Sequence, residues 1–566
     1  MSRVLPAWLT SYRRDQLAGD LSAGLIVTVM LVPQSLAYAM LAGLPPQMGL
    51  YASVLPIIAY AAFGTSMTLA VGPVAVASLM TASALTPLAP PGSPEYAALA
   101  MLLALLSGVM LVVFGLMRLG FLAHFLSHPV ISGFISGAAV LIAIGQLRHV
   151  LGVRIEADGV VQTVVALITA LPRTNPVTLA IGLGSVVLLV VARNRLPGWL
   201  VAMGLARSRA ELIARLAPMA VVVLATVVVG VFDLDQVAKV AVVGAVPAGL
   251  PQLPSVSQLF PGWESLSDLL IPALLISLVG FVESVSVAQS FALKRRQRID
   301  ADRELLGLGA ANAASALSGG FPVTGGLARS VVNFSAGANT PFAGVVSAGL
   351  MAVVLMLFTD WFRAMPHAVL AATILVAVTS LIDLKTLREA WAYDRGDALA
   401  LAATALGVIV LGVEHGIVLG VMLSLAVIVW RGSRPHIAVV GRMPGTEHFR
   451  NVERHTVETV PGSLILRIDE SLIFANAMQV RDRVDSLLVA DPSIRRVLVS
   501  CAGVNQIDTT GLEMLVALES DLQRQGVSLL LAEVKGPVMD RLAATGFGRA
   551  MAGRVHLSLH DAIKAN

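Results

Sequence analysis

FPVTGGLARSVVN, residues 321–333, lies inside a long apolar tract and yet holds a proline, two glycines and an arginine. An ordinary membrane helix does not carry that punctuation. Between Leu305 and Thr359, Arg329 is the only charged residue, and a lone cation at membrane depth is expensive unless it faces a cavity or a partner. Arg329 is therefore a functional-site candidate. Pro322 suits the first turn of a helix, where a missing N–H is no loss, and Gly325 and Gly326 let other groups approach the backbone closely. A helix that begins there aims free N–H groups at a buried space, and such an end carries roughly +0.5 charge and favours anions.

The pattern recurs earlier in the chain. At Val71–Met80 (VGPVAVASLM) the pair Gly72-Pro73 again interrupts an apolar tract. The spacing that separates Pro73 from Pro322 also carries Glu283, the only charged residue between Leu269 and Leu293, onto Gln34. Two broken helices and two polar residues thus repeat at one interval, as expected of inverted repeats that meet at a binding site. The competing reading is a pair of proline kinks repaired by neighbouring helices.

With 566 residues, 56% hydrophobic and 13% charged, the chain is too apolar for a soluble protein and reads as a polytopic membrane protein. The net charge of +4 fits basic loops on one side of a membrane and implies no nucleic-acid partner. The single cysteine, Cys501, excludes an intrachain disulfide and is expected to be a buried thiol. Arg3, Arg13, Arg14, Asp15 and Asp20 precede the first apolar run, so no cleavable signal is read there.

Fourteen membrane segments are expected, several of them short or broken. The first seven cover 21–41, 49–64, 73–87, 96–117, 129–148, 176–192 and 211–231; the second seven cover 268–292, 304–319, 323–336, 341–358, 366–381, 397–412 and 416–431. Residues 1–20 form an N-terminal segment, 21–431 the membrane domain with repeats at about 21–231 and 268–431, and 436–566 a soluble domain. Basic residues (Arg118, Arg193 to Arg209, Lys294 to Arg296, Lys385, Arg388) follow even-numbered segments, while Pro90–Glu95, Glu156–Asp158 and Asp233–Glu264 are acidic or neutral. That asymmetry places the N-terminus and the soluble domain in the cytoplasm, with Arg148 and Arg154 as the exception.

Beyond Arg431, strands at Ser463–Ile468, Arg496–Ser500 and Val527–Glu533 alternate with helices at Asn476–Val489 and Thr510–Gln525. Leu512, Leu515, Val516 and Leu518 would face the last helix onto a sheet, giving a small α/β domain.

Read together, these residues resemble the SulP (sulfate permease) family over nearly the whole chain. The resemblance rests on VPQSLAYAMLAGLPPQMGLY (Val32–Tyr51), FGTS (Phe63–Ser66), VGPVAV (Val71–Val76), FVESVSVAQSFA (Phe281–Ala292) and FPVTGG with Arg329. IDTTGLEML at Ile507–Leu515 is similar to the signature of a STAS domain. The resemblance implies an α-helical polytopic membrane protein with a 7+7 inverted repeat, core and gate domains, a C-terminal cytoplasmic STAS domain, and a homodimer in the cell's inner (plasma) membrane. It also implies an anion site at Pro73, Val74, Gly326, Leu327, Ala328 and Arg329, joined by Gln34 and Tyr38 and by the acidic Glu283. Many relatives carry serines where this chain has Gly326 and Ala328, so two side-chain hydroxyls that could touch the anion are missing here and backbone N–H groups are left to bind it.

The expected activity is secondary active transport of an inorganic oxyanion, sulfate first, with alternating access and no cofactor or metal. A carboxylate beside an anion repels it unless protonated or paired, so Glu283 is the expected coupling site for a proton, with Na⁺ as the alternative; a structural ion pair with Arg329 is the plainer reading. Bicarbonate, C4-dicarboxylates and uncoupled exchange or channel activity stay open, as does a sensor signalling through a protein partner of the STAS domain. Thr509 matches the position phosphorylated in soluble STAS relatives, whereas Asp508, or Thr510 with Glu513, would cap the helix; capping is favoured. The histidines show no metal-ligand spacing, Gly307-Leu308-Gly309 reads as helix packing, and no Walker motif or catalytic constellation points to a pump or an enzyme.

Overall fold

The computed structural model describes residues 6–124, 127–155, 159–251, 253–255, 259 and 262–565. Two units, residues 1–424 and 425–566, are each compact. Glu156 and Asp158, two of the acidic loop residues, lie outside the described residues.

The first unit is helical. Leu17–Leu41 (α1), Pro46–Tyr51 (α2) and Leu55–Phe63 (α3) lead to a two-residue strand, Val71–Gly72 (β1), and to Ala75–Leu85 (α4). Then come Pro94–Leu116 (α5), His128–Leu151 (α6), Val160–Ala170 (α7), Pro176–Asn194 (α8), Arg207–Arg215 (α9) and Ala217–Val231 (α10). The second half runs through Trp263–Lys294 (α11), Ala301–Leu317 (α12), the strand Thr324–Gly325 (β2), Leu327–Ser335 (α13) and Phe342–Leu357 (α14). His367–Val378 (α15), Leu384–Tyr393 (α16), Arg395–Leu411 (α17) and Val413–Ser433 (α18) complete it.

Each of the fourteen expected segments falls on helix, but they are not fourteen full spans. Among the described residues eight helices are long and apolar enough to cross a membrane, or nine if the bent pair Arg209–Arg215 and Ala217–Val231 is one span. The third and tenth segments, α4 and α13, have 11 and 9 residues; at about 1.5 Å per residue neither crosses a core of roughly 30 Å. The second segment is two helices, α2 and α3, and α7 and α16 went unforeseen. Pro322 is corrected too. It precedes β2 in extended chain, and the helix begins only at Leu327.

Glycines set the packing. A Cβ on Gly108 of α5 would lie 2.7 Å from the Ala313 N of α12, and one on Gly309 would lie 2.9 Å from the Gly108 carbonyl. A Cβ on Gly307 would meet the Gly64 backbone at 2.8 Å. Gly307 and Gly309 are therefore contact points where backbones touch, which is how membrane helices gain dispersion contact without a hydrophobic drive.

Two buried carboxylates hold loops in place. Glu304 Oε1 accepts from the Thr65 N (2.6 Å), Thr65 Oγ1 and Ser66 N (2.9 Å), and Oε2 accepts from Tyr60 Oη (2.7 Å). The FGTS motif is thereby the seat of an α12 carboxylate. Asp20 likewise accepts from the Asn339 N (2.6 Å), Thr340 N (3.0 Å) and Thr340 Oγ1 (2.7 Å), just ahead of α14.

The second unit is a six-stranded sheet. Strands Ile437–Arg442 (β3), Phe449–Asn451 (β4), Ser463–Ile468 (β5), Arg496–Ser500 (β6), Ser528–Ala532 (β7) and Val555–His556 (β8) lie in the order β4-β3-β5-β6-β7-β8, with β5 to β8 parallel. Alternation sorts the faces: Leu464, Leu466, Val497, Val499, Leu529 and Leu531 pack with Val480, Val484, Leu515 and Leu518, whereas Ile465, Leu498 and Leu530 pack with Leu559 and Ala562. The helix Thr509–Arg524 (α19) turns Met514, Leu515, Leu518 and Leu522 to the core, while Val516 is exposed, against expectation. Asp508 is its N-cap, with Oδ1 accepting from the Gly511 N at 2.8 Å and Oδ2 from the Phe474 N at 2.7 Å. Thr509 is exposed, and Cys501 is buried and free.

Removing the Glu304 carboxylate strands several buried donors at once. Glu304→Ala is expected to destabilise the membrane unit by about 3 kcal/mol, read as a lower thermal midpoint in detergent, with Glu304→Gln falling between it and the parent chain.

Candidate functional site

The site begins where two chain breaks pair. β1 and β2 run antiparallel, with Val71 opposite Gly325 and Gly72 opposite Thr324, and the Gly326 N donates to the Ala70 carbonyl at 3.0 Å. Non-helical backbone at membrane depth must be satisfied inside the protein. Side chains complete the task. Asn312 donates to the Val323 carbonyl and accepts from the Val323 N, both at 2.9 Å, Ser315 donates to the Phe321 carbonyl at 2.6 Å, and Thr324 Oγ1 donates to the Gly280 carbonyl at 2.7 Å. Ser284 Oγ accepts from the Gly325 N at 2.9 Å, Ser330 Oγ accepts from the Ala70 N at 2.9 Å, and Asn333 donates to the Thr68 carbonyl at 3.0 Å.

From this crossing α4 and α13 depart with Val74 and Gly326 as N-caps, and neither cap carries a side-chain hydrogen bond. Their first-turn N–H groups have no partner within the helix. Arg329, 2% exposed, sits beside them. Its Nη1 donates to the Pro73 carbonyl at 2.6 Å and reaches Gln34 Oε1 at 3.4 Å. Its Nε and Nη2 are buried without a partner, as is Glu283 Oε2. Glu283 and Tyr38 lie within electrostatic reach of the guanidinium, but no ion pair within 4 Å joins Glu283 to Arg329 among the described residues. The plain structural pair is not formed.

Gly326 has a steric reason to be glycine. A Cβ there would lie 3.0 Å from Arg329 Nη2, 3.1 Å from its Cζ and 3.3 Å from Val74 Cγ1. The guanidinium occupies the space that a side chain would need.

A cavity of about 400 Å³ is lined by Gln34, Tyr38 and Ala328 from the expected set. Pro73, Val74, Gly326 and Arg329 are buried and do not line it, Arg329 instead lining a separate cavity of about 20 Å³ with Leu31, Tyr60 and Asn333; Leu327 is 47% exposed and does not line it either. The opposite wall, with Arg193, Arg215, Thr373 and Ile374, was not foreseen. Arg215 left a signal in the sequence: it is a charge inside the segment expected at 211–231.

Residues 17–404 match the model of the Sulfate permease family and residues 454–562 that of the STAS domain. A probable sulfate transporter 4.2 of Arabidopsis thaliana is 34% identical over 98% of this chain and 82% of its own. A probable sulfate transporter of Mycobacterium tuberculosis is 34% identical over 98% of this chain and 96% of its own. The murine Solute Carrier 26 family member A9 anion transporter in the inward-facing state superposes with a TM-score of 0.89 at 24% identity, covering 100% of this chain and 94% of that one. The transmembrane domain of a cyanobacterium bicarbonate transporter, BicA, gives a TM-score of 0.58 at 25% identity over 73% of this chain and 98% of its own. With its membrane helices and its C-terminal sheet both accounted for, the chain belongs to the sulfate permease family of multi-pass membrane anion transporters and carries a STAS domain.

Proposed function

We propose that this protein is a secondary active symporter for sulfate, carrying it by alternating access with a proton taken up at Glu283. The observation that supports this most is the buried Arg329, whose Nε and Nη2 have no partner while Nη1 is fixed on the Pro73 carbonyl. Leaving buried cationic donors open is costly unless a ligand fills them. Two uncapped helix starts add backbone donors, so an anion at Gly326, Leu327 and Ala328 would meet donors from α4, α13 and the guanidinium together.

Arg329 and the two helix starts supply donors, and once Glu283 carries a proton the corner suits a fully deprotonated oxyanion. Sulfate at neutral pH needs only donors, whereas bicarbonate carries an O–H that needs an acceptor. Glu283 Oε2 is the open acceptor nearby. Bound to a proton, it stops repelling the substrate and becomes the coupling group; Na⁺ is the other ion that would serve. The relatives named as sulfate transporters agree with sulfate, and the bicarbonate transporter keeps bicarbonate as the control substrate. In this reading the protein is a homodimer in the plasma membrane with its N-terminus and STAS domain cytoplasmic, and Thr509 is the exposed candidate for regulatory phosphorylation.

Radiolabelled sulfate uptake into proteoliposomes tests the assignment, with and without inward proton or sodium gradients and with bicarbonate and fumarate as competitors. Accumulation driven by the proton gradient is expected; uptake of a competitor but not of sulfate would move the substrate. Arg329→Gln is expected to weaken sulfate by about 2–3 kcal/mol, roughly 30- to 150-fold. In Glu283→Gln, uptake should persist at the rate seen without a gradient, and full gradient response there would remove Glu283 from coupling. Gly326→Ser should raise the KM for sulfate roughly fivefold, about 1 kcal/mol, by displacing a guanidinium that the Pro73 carbonyl prevents from retreating.

A further inference from the structure

The cavity has cations that the anion site at Arg329 does not use. Arg193 in the last turn of α8 and Arg215 in the last turn of α9 both line it, with Glu211 between them in sequence. Arg215 Nη1 donates to the Val331 carbonyl at 3.2 Å and to Ser335 Oγ at 2.9 Å, in the last turns of α13. Arg193 Nη1 donates to the Val376 carbonyl of α15 at 3.3 Å. These bonds hold one nitrogen of each guanidinium and leave the rest of a five-donor fork free of them.

The position of Arg215 on α13 is informative. The anion site is at the N-terminal end of this half-helix, and Arg215 sits at its C-terminal end, roughly 13 Å away along the axis. An anion approaching from that side would meet the negative end of the helix dipole. Arg215 covers that end with a cation and turns a repulsive approach into an attractive one. Glu211, the one carboxylate on the cavity wall among the described residues, is paired with Arg207 at 3.2 Å, which offsets its repulsion.

We propose that Arg193 and Arg215 form a second oxyanion subsite on the wall of the cavity, at the C-terminal end of α13, which captures substrate from that side before it reaches Arg329. The inference rests on the cavity being the transport route. It is distinct from coupling and from binding at the primary site.

Oriented proteoliposomes test it, with radiolabelled sulfate and radiolabelled bicarbonate run in parallel so that a change of substrate leaves a probe in hand. Arg193→Gln and Arg215→Gln are each expected to raise KM about fivefold when substrate is added on the Arg193 face, with kcat and the KM from the other face unchanged. The dependence of that KM on ionic strength should flatten, and Arg215→Lys should restore most of the loss. Ser335→Ala, which removes a partner of Arg215 but no charge, should leave KM at the parent value. A KM unchanged on the Arg193 face, an equal rise on both faces, or a Ser335→Ala variant that mimics Arg215→Gln would overturn the subsite. Arg193→Gln leaves the contacts of α13 intact but gives up the bond to the Val376 carbonyl, so Arg193→Lys, which keeps the charge, should restore the parent KM if charge is what matters. A primary-site failure looks different, because Arg329 variants lose transport from both faces.

Discussion

Everything in the membrane unit depends on the four-residue antiparallel ladder at which β1 and β2 cross. Breaking a helix inside a bilayer exposes backbone groups that water cannot reach, and each unsatisfied group costs several kcal/mol. Here the two breaks satisfy each other, Val71 against Gly325 and Gly72 against Thr324, and the side chains of Ser284 (α11), Asn312 (α12) and Ser330 (α13) take further backbone groups. The ladder fixes where α4 and α13 start, and their starts define the site. Without the pairing neither half-helix would have a reason to begin where it does.

The surrounding helices press backbone against backbone, through Gly108, Gly307 and Gly309, so the crossing is held by close packing as well as by hydrogen bonds. Glu304 and Asp20 do a related job one layer out. Each is a buried carboxylate that gathers main-chain N–H groups of a loop leading into the next element, and each is satisfied by several donors. A buried charge with full partners orders the chain around it. Arg329 differs, being buried with open donors.

Much of this was legible in the chain. Arg329, Glu283 and the Gly-Pro punctuation stand out because charge and helix breakers are rare in apolar tracts, and the strands and helices of the second unit follow from alternation and periodicity. Other features were not legible. Pro322 was read at a helix start because proline favours that position, yet the ladder needs extended chain through Thr324 and delays the helix to Leu327. The apolarity of Val516 points to the core, but helical phase turns it outward and brings in Met514 and Leu522. Arg193 and Arg215 belong to helices distant in sequence from the breaks, and only tertiary packing shows that they share a cavity with Gln34 and Tyr38.

The open donors of Arg329 also bear on what the site is for. A guanidinium buried only to stabilise the fold would be paired, because a charge left with unfilled donors weakens the protein that carries it. Glu283 is near enough to feel Arg329 electrostatically and yet makes no ion pair with it, so the one carboxylate that would neutralise the cation stands off. Gly326, meanwhile, gives up its side chain to make room for the guanidinium. An unpaired buried cation, a carboxylate that stands off from it and a glycine beside it are the features expected of a place built to receive negative charge, which is the reading proposed above.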